Sequence, residues 1–262
     1  FGRLEFTPGL PSAGSTAPLW TLLLAVGYLL RLPYLLWSNL LGGLALLWLG
    51  WSGMRLWQTL WPAQTSRTWL AGVVLVLTWP LLWAAASGME TIFFAAVGLQ
   101  LAAWYAEIAA TNTLSYRDAA RLGFFAGLLI LTRPDGLLLL LLIAGGFLLL
   151  PAPWGQRFGR VGVLVGTAVI PLLPYFLFNY WTSGTIWPNT LYAKQVEYAA
   201  ALAQPFMGRF LQLLYLSLGG PASGWRGLSS AHLLLLPGLL LATWHALRAD
   251  WAQRRLLVLL PP

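Results

Sequence analysis

The stretch Thr132-Arg133-Pro134-Asp135-Gly136 sets a cation and an anion two residues apart between two apolar segments. No charge occurs between Arg121 and Arg133, or between Asp135 and Arg157. Charges that border or enter a bilayer are costly, so they commonly have a partner or a task. Two further polar sets could join them: Glu90 in Ser87-Gly88-Met89-Glu90-Thr91, and Asn189 with Lys194, the only lysine. A pair such as Arg133 and Lys194 could hold a phosphate, the arginine by a bidentate fork and the lysine as a point charge. A carboxylate such as Glu90 could ligate a hard divalent cation (Mg²⁺, Mn²⁺ or Ca²⁺) or orient a hydroxyl. Phosphate chemistry at a membrane face points to a lipid-linked substrate.

Each residue also has a plain reading. Arg133 and Asp135 could simply face water on an interfacial turn, and Glu90 could be a helix-start acid favoured by the macrodipole. Lys194 could snorkel from an interfacial helix, and Asn189 could form a turn after Pro188. The local pattern leaves both sets of readings open.

The elements that must position these residues are apolar helices. Hydrophobic residues make up 59% of the 262 residues and charged ones 8%, and mean hydropathy is +0.73. Soluble domains carry about 25% charged residues, so the composition describes an all-α, polytopic helical membrane protein. The expected plan is a single transmembrane domain. Residues 1–33 form a loop with an interfacial helix from Ala17, too short to span, and 34–180 the transmembrane helices. Residues 181–230 form a large loop with an amphipathic helix near Gln195–Leu218, and 231–262 a further span and the start of another. Pro80 is a predicted kink, and Gly88 a predicted helix stop with Glu90 in the first turn beyond it. Pro134 and Gly136 predict a tight turn, with the glycine supplying conformational freedom. Polar loops are expected at Glu107–Arg121 and Pro151–Arg160.

The net charge of +8 is not a nucleic-acid signal, because the basic residues are scattered at predicted helix ends. With the Glu90, Arg133 and Pro188 regions on one side, the other receives Arg55, Arg67, Arg117, Arg121, Arg157, Arg160, Arg248, Arg254 and Arg255. Those nine of the 15 basic residues lie in short loops, which makes that side cytoplasmic and the special turns extracytoplasmic. Sixteen tryptophans suit an interfacial belt. The lack of cysteine excludes disulfides and thiolate sites, and two histidines make a histidine metal cluster a poor reading. The chain opens on Phe1 and stops inside an apolar run, so both ends read as cut from a longer protein.

Four motifs occur in order: Gly14-Ser15-Thr16-Ala17-Pro18-Leu19-Trp20, Ser87-Gly88-Met89-Glu90-Thr91, Leu131-Thr132-Arg133-Pro134-Asp135-Gly136 and Pro188-Asn189-Thr190-Leu191-Tyr192-Ala193-Lys194. Together they resemble the polytopic C-type glycosyltransferases, in particular mycobacterial-type terminal arabinofuranosyltransferases and their relatives. The resemblance implies a multi-pass enzyme of the bacterial inner membrane, acting at its extracytoplasmic face. Such an enzyme transfers a sugar from a polyprenyl-phosphate donor to a glycan or protein acceptor, with a carboxylate as base. The family's catalytic Asp is expected upstream of Phe1, so the residues here are expected to be inactive alone. Carried over by position, Glu90 resembles a carboxylate that binds metal or substrate, and Arg133 the basic residue approaching the donor phosphate. Asp135 is expected to orient Arg133 or contact the sugar, and Asn189, Tyr192 and Lys194 resemble a loop motif near the donor. A transporter or lipid flippase is the competing reading; it more naturally shows intramembrane carboxylates or paired repeats, and no internal repeat occurs.

Overall fold

The computed structural model describes residues 5–7, 10–11, 14–111, 114–199 and 203–211, with positions 237, 240 and 244. Two compact units divide the chain, one carried by Phe1–Pro188 and the other by Asn189–Leu260. Among the described residues of the first, a two-stranded antiparallel pair, β1 (Glu5–Thr7) and β2 (Leu10–Pro11), precedes eight α-helices and one short 3-10 helix, Pro62–Arg67. The α-helices are α1 (Pro18–Leu29), α2 (Tyr34–Leu60), α3 (Thr68–Leu77), α4 (Trp79–Ala86), α5 (Thr91–Thr111), α6 (Tyr116–Thr132), α7 (Gly136–Leu149) and α8 (Trp154–Ser183).

Three of them, α2, α5 and α8, are long and apolar enough to cross a membrane. At 1.5 Å per residue they are about 40, 32 and 45 Å long, against a hydrocarbon core of about 30 Å. A fourth candidate is the run Pro62–Leu77 with α4, bent by 56°. The bend falls at Thr78, whose extended backbone (ψ 117°) stops α3 and places Pro80 in the first turn of α4. There a missing N–H costs nothing. Pro80 therefore starts a new helix, where a kink within one was expected.

The helices pack in two side-by-side parallel pairs, α2 with α5 and α6 with α8. Between α2 and α5, a polar rung joins the Ser52 hydroxyl and the Trp48 indole N–H to Gln100 Oε1, at 2.9 and 3.2 Å. About one turn further along α2 and two along α5, Arg55 Nη2 meets Glu107 Oε2 at 2.6 Å. Between α6 and α8 the backbones nearly touch. A Cβ on Gly123 would lie 2.1 Å from the Leu164 carbonyl oxygen, and one on Gly127 2.2 Å from that of Ala168. Small residues four apart let helices approach this closely, which supports association where lipid removes the hydrophobic drive.

Several expected boundaries move. Helix α5 runs to Thr111, so Glu107 sits on a helix and is paired, where a loop was expected. Helix α6 starts at Tyr116 through a Ser115/Asp118 capping box, in which the serine side chain accepts from the Asp118 N–H at 3.1 Å. Helix α8 starts at Trp154, so Arg157 and Arg160 are also helical. Arg157 donates to the Ala152 and Leu148 carbonyls at 2.6 and 2.8 Å, satisfying groups left open where α7 ends. At the start of α1 the N-cap is Ala17, and no side chain caps it. Helix α1 is about 18 Å long, too short to span, as expected. Its end is a Schellman turn: Leu32 N–H donates to Gly27 at 2.9 Å and Arg31 N–H to Tyr28 at 3.0 Å. Arg31 takes the left-handed position, with φ 56°.

Helices α6 and α7 are about 26 and 21 Å long, each short of a full crossing. As a hairpin with both open ends on one side, they keep Arg117, Arg121, Arg157 and Arg160 together whether the tip crosses fully or stops short.

The second unit begins with α9 (Asn189–Glu197). Residues 206–211 are helical again beyond Pro205, so the expected continuous helix from Gln195 is broken. Of the predicted span Ala231–Leu247 only Pro237, Leu240 and Trp244 are described, and the basic residues Arg226, Arg248, Arg254 and Arg255 lie outside the described residues.

Candidate functional site

The turn between α6 and α7 is built by its own backbone. Thr132 ends α6, and Arg133 is extended (φ −157°, ψ 137°), the conformation favoured before proline. Gly136 N–H donates to the Arg133 carbonyl at 3.0 Å and Leu137 N–H to that of Pro134 at 3.0 Å, starting α7 at once. Gly136 serves close approach, where left-handed freedom was expected: a Cβ there would lie 2.9 Å from Leu129 Cγ and 3.0 Å from the Ile130 nitrogen.

The turn on the other side has the left-handed residue. Gly88 takes φ 72° after α4 ends at Ala86, as its helix-stop reading requires. Trp20 of α1 donates its indole N–H to the Gly88 carbonyl at 3.1 Å and packs against Phe93, with ring centroids 5.8 Å apart. Glu90 follows immediately before α5, and its carbonyl accepts the Phe94 N–H at 2.9 Å. It therefore sits at the cap position, one residue ahead of the helix, and not inside the first turn.

These two turns meet. Arg133 Nη1 donates to Glu90 Oε1 at 2.9 Å, across 43 residues of sequence. Arg133 Nε and Nη2 both donate to Asp135 Oδ2, at 3.1 and 3.0 Å. The guanidinium carbon also lies 5.9 Å from the Phe94 ring centroid, within cation–π range. Side-chain exposure is 37% for Arg133, 20% for Glu90 and 67% for Asp135. Glu90 is thus the sheltered anchor and Asp135 the solvent-facing partner. The Glu90 contact also brings the hairpin tip level with the start of α5.

A guanidinium has five N–H donors. Three are used, which leaves one on each terminal nitrogen for a ligand. Two carboxylates against one guanidinium give the cluster a net charge of −1, so an incoming anion must displace a carboxylate or bring a counter-charge. The separable carboxylate is the exposed one, Asp135.

Around this end of the first unit lie contacts that the sequence reading assigned to no site. The Tyr175 hydroxyl of α8 donates to the Ser15 carbonyl just before α1. Asn179, fully buried one turn further on, donates to the Ile186 carbonyl at 2.9 Å. Trp20 and Phe94 were likewise unassigned; Phe94 lies four residues after Glu90, one helical turn on, and that spacing was the available signal.

Asn189, Tyr192 and Lys194 belong to the second unit, on α9. All three are exposed. Asn189 and Tyr192 are three residues apart and share a helix face, whereas Lys194 lies two residues from Tyr192 and faces away. Lys194 sits in the last turn, where a cation suits the helix dipole.

The donor set for a divalent cation is thin. Among the described residues no group of three or more His, Cys, Asp and Glu gathers, and one Glu90 oxygen is already held by Arg133. These residues do not make a dedicated cation cage.

Comparison with protein families, with characterised proteins and with solved structures finds no match to this chain. The fold therefore stands on its own as an all-α arrangement with three to four helices able to cross a membrane. Several such helices are those of a multi-pass membrane protein.

Proposed function

We propose that this chain belongs to a membrane enzyme that transfers a sugar from a polyprenyl-phosphate donor to a cell-envelope glycan or protein, at the extracytoplasmic face. The observation that supports the reading is the Glu90–Arg133–Asp135 cluster, in which a partly exposed guanidinium is held at the membrane-end turn of a hairpin. In this reading the donor phosphate takes the place of Asp135 on the Nε and Nη2 edge of Arg133. Asp135 swings to solvent, while Glu90 keeps the guanidinium aimed. A phosphate fits that fork because its oxygens match two parallel N–H donors. The bond from the anomeric carbon to the phosphate oxygen breaks and the bond to the acceptor oxygen forms. Arg133 neutralises charge developing on the leaving phosphate, and the acceptor proton passes to a carboxylate base that is not assigned among these residues.

The test uses the full-length protein in membranes with polyprenyl-phosphate sugars and a radiolabelled donor sugar. Arg133→Ala is expected to lower sugar transfer by about 100-fold or more, the usual loss for a removed transition-state donor. Glu90→Gln is expected to lower it less, by leaving Arg133 present but poorly aimed. Transfer left intact by both substitutions sinks the assignment, and movement of the lipid across the bilayer without sugar transfer supports a flippase instead.

A further inference from the structure

We infer that the groove between α2 and α3 holds one acyl chain of an anionic phospholipid, whose phosphate is met by Arg67. The groove has a volume of about 360 Å³ and lies between Trp51 and Trp69, with Gly50 and Gly72 at its floor. A Cβ on Gly50 would lie 2.8 Å from Val76 Cγ2, and one on Gly72 2.8 Å from Met54 Cγ, so the glycines let α2 and α3 approach closely at the base of the groove. No charged, hydroxyl or amide side chain lines it. Its walls are open to the surroundings, with Trp51 58% and Trp69 57% exposed. On a helix long enough to cross a membrane, those surroundings are hydrocarbon, and a slot lined almost wholly by apolar surface takes a lipid tail in preference to water.

The polar end of the groove supplies the headgroup. Arg67 immediately precedes α3 and is exposed, with no carboxylate partner among the described residues. The nearby Arg55 is already held by Glu107 at 2.6 Å, so Arg67 is the cation available there. Trp57 in the last turn of α2 and Trp61 just beyond it pack with ring centroids 4.6 Å apart and planes tilted by 38°, an aromatic pair suited to the headgroup level. The juxtaposition of an apolar slot, an aromatic boundary and one unpaired cation matches a phosphodiester lipid. Its cation end lies toward the end of α2 where Arg55 meets Glu107, away from Glu90 at the start of α5, so the headgroup contact is separate from the proposed reaction.

The test reconstitutes the full chain in phosphatidylcholine vesicles that carry a small share of phosphatidylglycerol with a photoreactive acyl chain. After illumination, cross-links are mapped by mass spectrometry. The expected sites are Trp51, Met54 and Val73. A phosphatidylcholine analogue with the same acyl chain is expected to give about fivefold lower yield, the preference one arginine confers on an anionic headgroup. Arg67→Gln should erase that preference, and Val73→Trp should remove groove cross-links for both lipids. Equal yields for the two headgroups, a preference that survives Arg67→Gln, or cross-links between two copies of the chain would each overturn the inference. The Arg67 side chain is exposed and has no ion-pair or hydrogen-bond partner among the described residues, so its substitution decides the matter even if Val73→Trp misfolds.

Discussion

Gly127→Ala adds one methyl group where α6 and α8 are closest. The new Cβ would stand 2.2 Å from the Ala168 carbonyl oxygen and 2.5 Å from Pro171 Cγ, whereas real Cβ atoms essentially never come within 3.0 Å. The difference, 0.8 Å, cannot be absorbed by a rotamer change, because the obstacle is backbone and a proline ring. The helices must part, and overpacking of this kind costs about 1–3 kcal/mol. Gly166→Ala on α8 is the matched control: nothing lies within 4 Å of its Cβ, so the same methyl is expected to be neutral or to stabilise by up to about 1 kcal/mol. The assay is reversible unfolding of the full chain in mixed micelles, followed by circular dichroism. Because the chain has no cysteine, spin labels can be placed singly at Phe124 and Val165, both exposed, to read the helix separation. Gly127→Ala should unfold earlier and widen the label distance while Gly166→Ala does neither. Equal stability of the two variants would refute parallel α6–α8 packing through Gly127, and with it the frame that supports Arg133.

Two further outcomes are expected. A double-mutant cycle between Glu90→Gln and Arg133→Ala should give a coupling near 1 kcal/mol or less, weakened by salt, because Arg133 is over one-third exposed; a coupling indistinguishable from zero would mean that the pair does not hold the two turns together. Arg31→Gly should raise thermal stability by about 1 kcal/mol, since Arg31 occupies a left-handed position that glycine adopts freely; a lower melting temperature would show that the arginine side chain contributes more than its backbone costs.

Much of the helical plan was legible in the sequence for a simple reason. A segment that crosses hydrocarbon must satisfy its backbone internally and be apolar along its whole length, so composition alone reports it. The stops at Gly88 and at Arg133-Pro134 were legible too, because left-handed and pre-proline backbone restrict residue type locally. Loop lengths were misjudged where polar residues sit on helix ends. Glu107, Arg117, Arg157 and Arg160 look like loop residues by hydropathy, yet each is helical, with Glu107 and Arg157 satisfied by a neighbouring element.

The amino-acid sequence by itself determined that the chain is helical and apolar enough for several crossings, and that two charges must share the turn after Thr132. Only the tertiary structure decided what those charges do to each other. Whether Glu90 was a passive helix-start acid or a partner of Arg133 depended on two turns 43 residues apart meeting within 2.9 Å, which no local pattern encodes. The same folding gave the cluster its balance of one guanidinium against two carboxylates, sheltered on the Glu90 side and open on the Asp135 side. Spacing along a chain sets which residues share a helix face, whereas the meeting of distant turns is set by helix packing, here by glycines that let backbones touch.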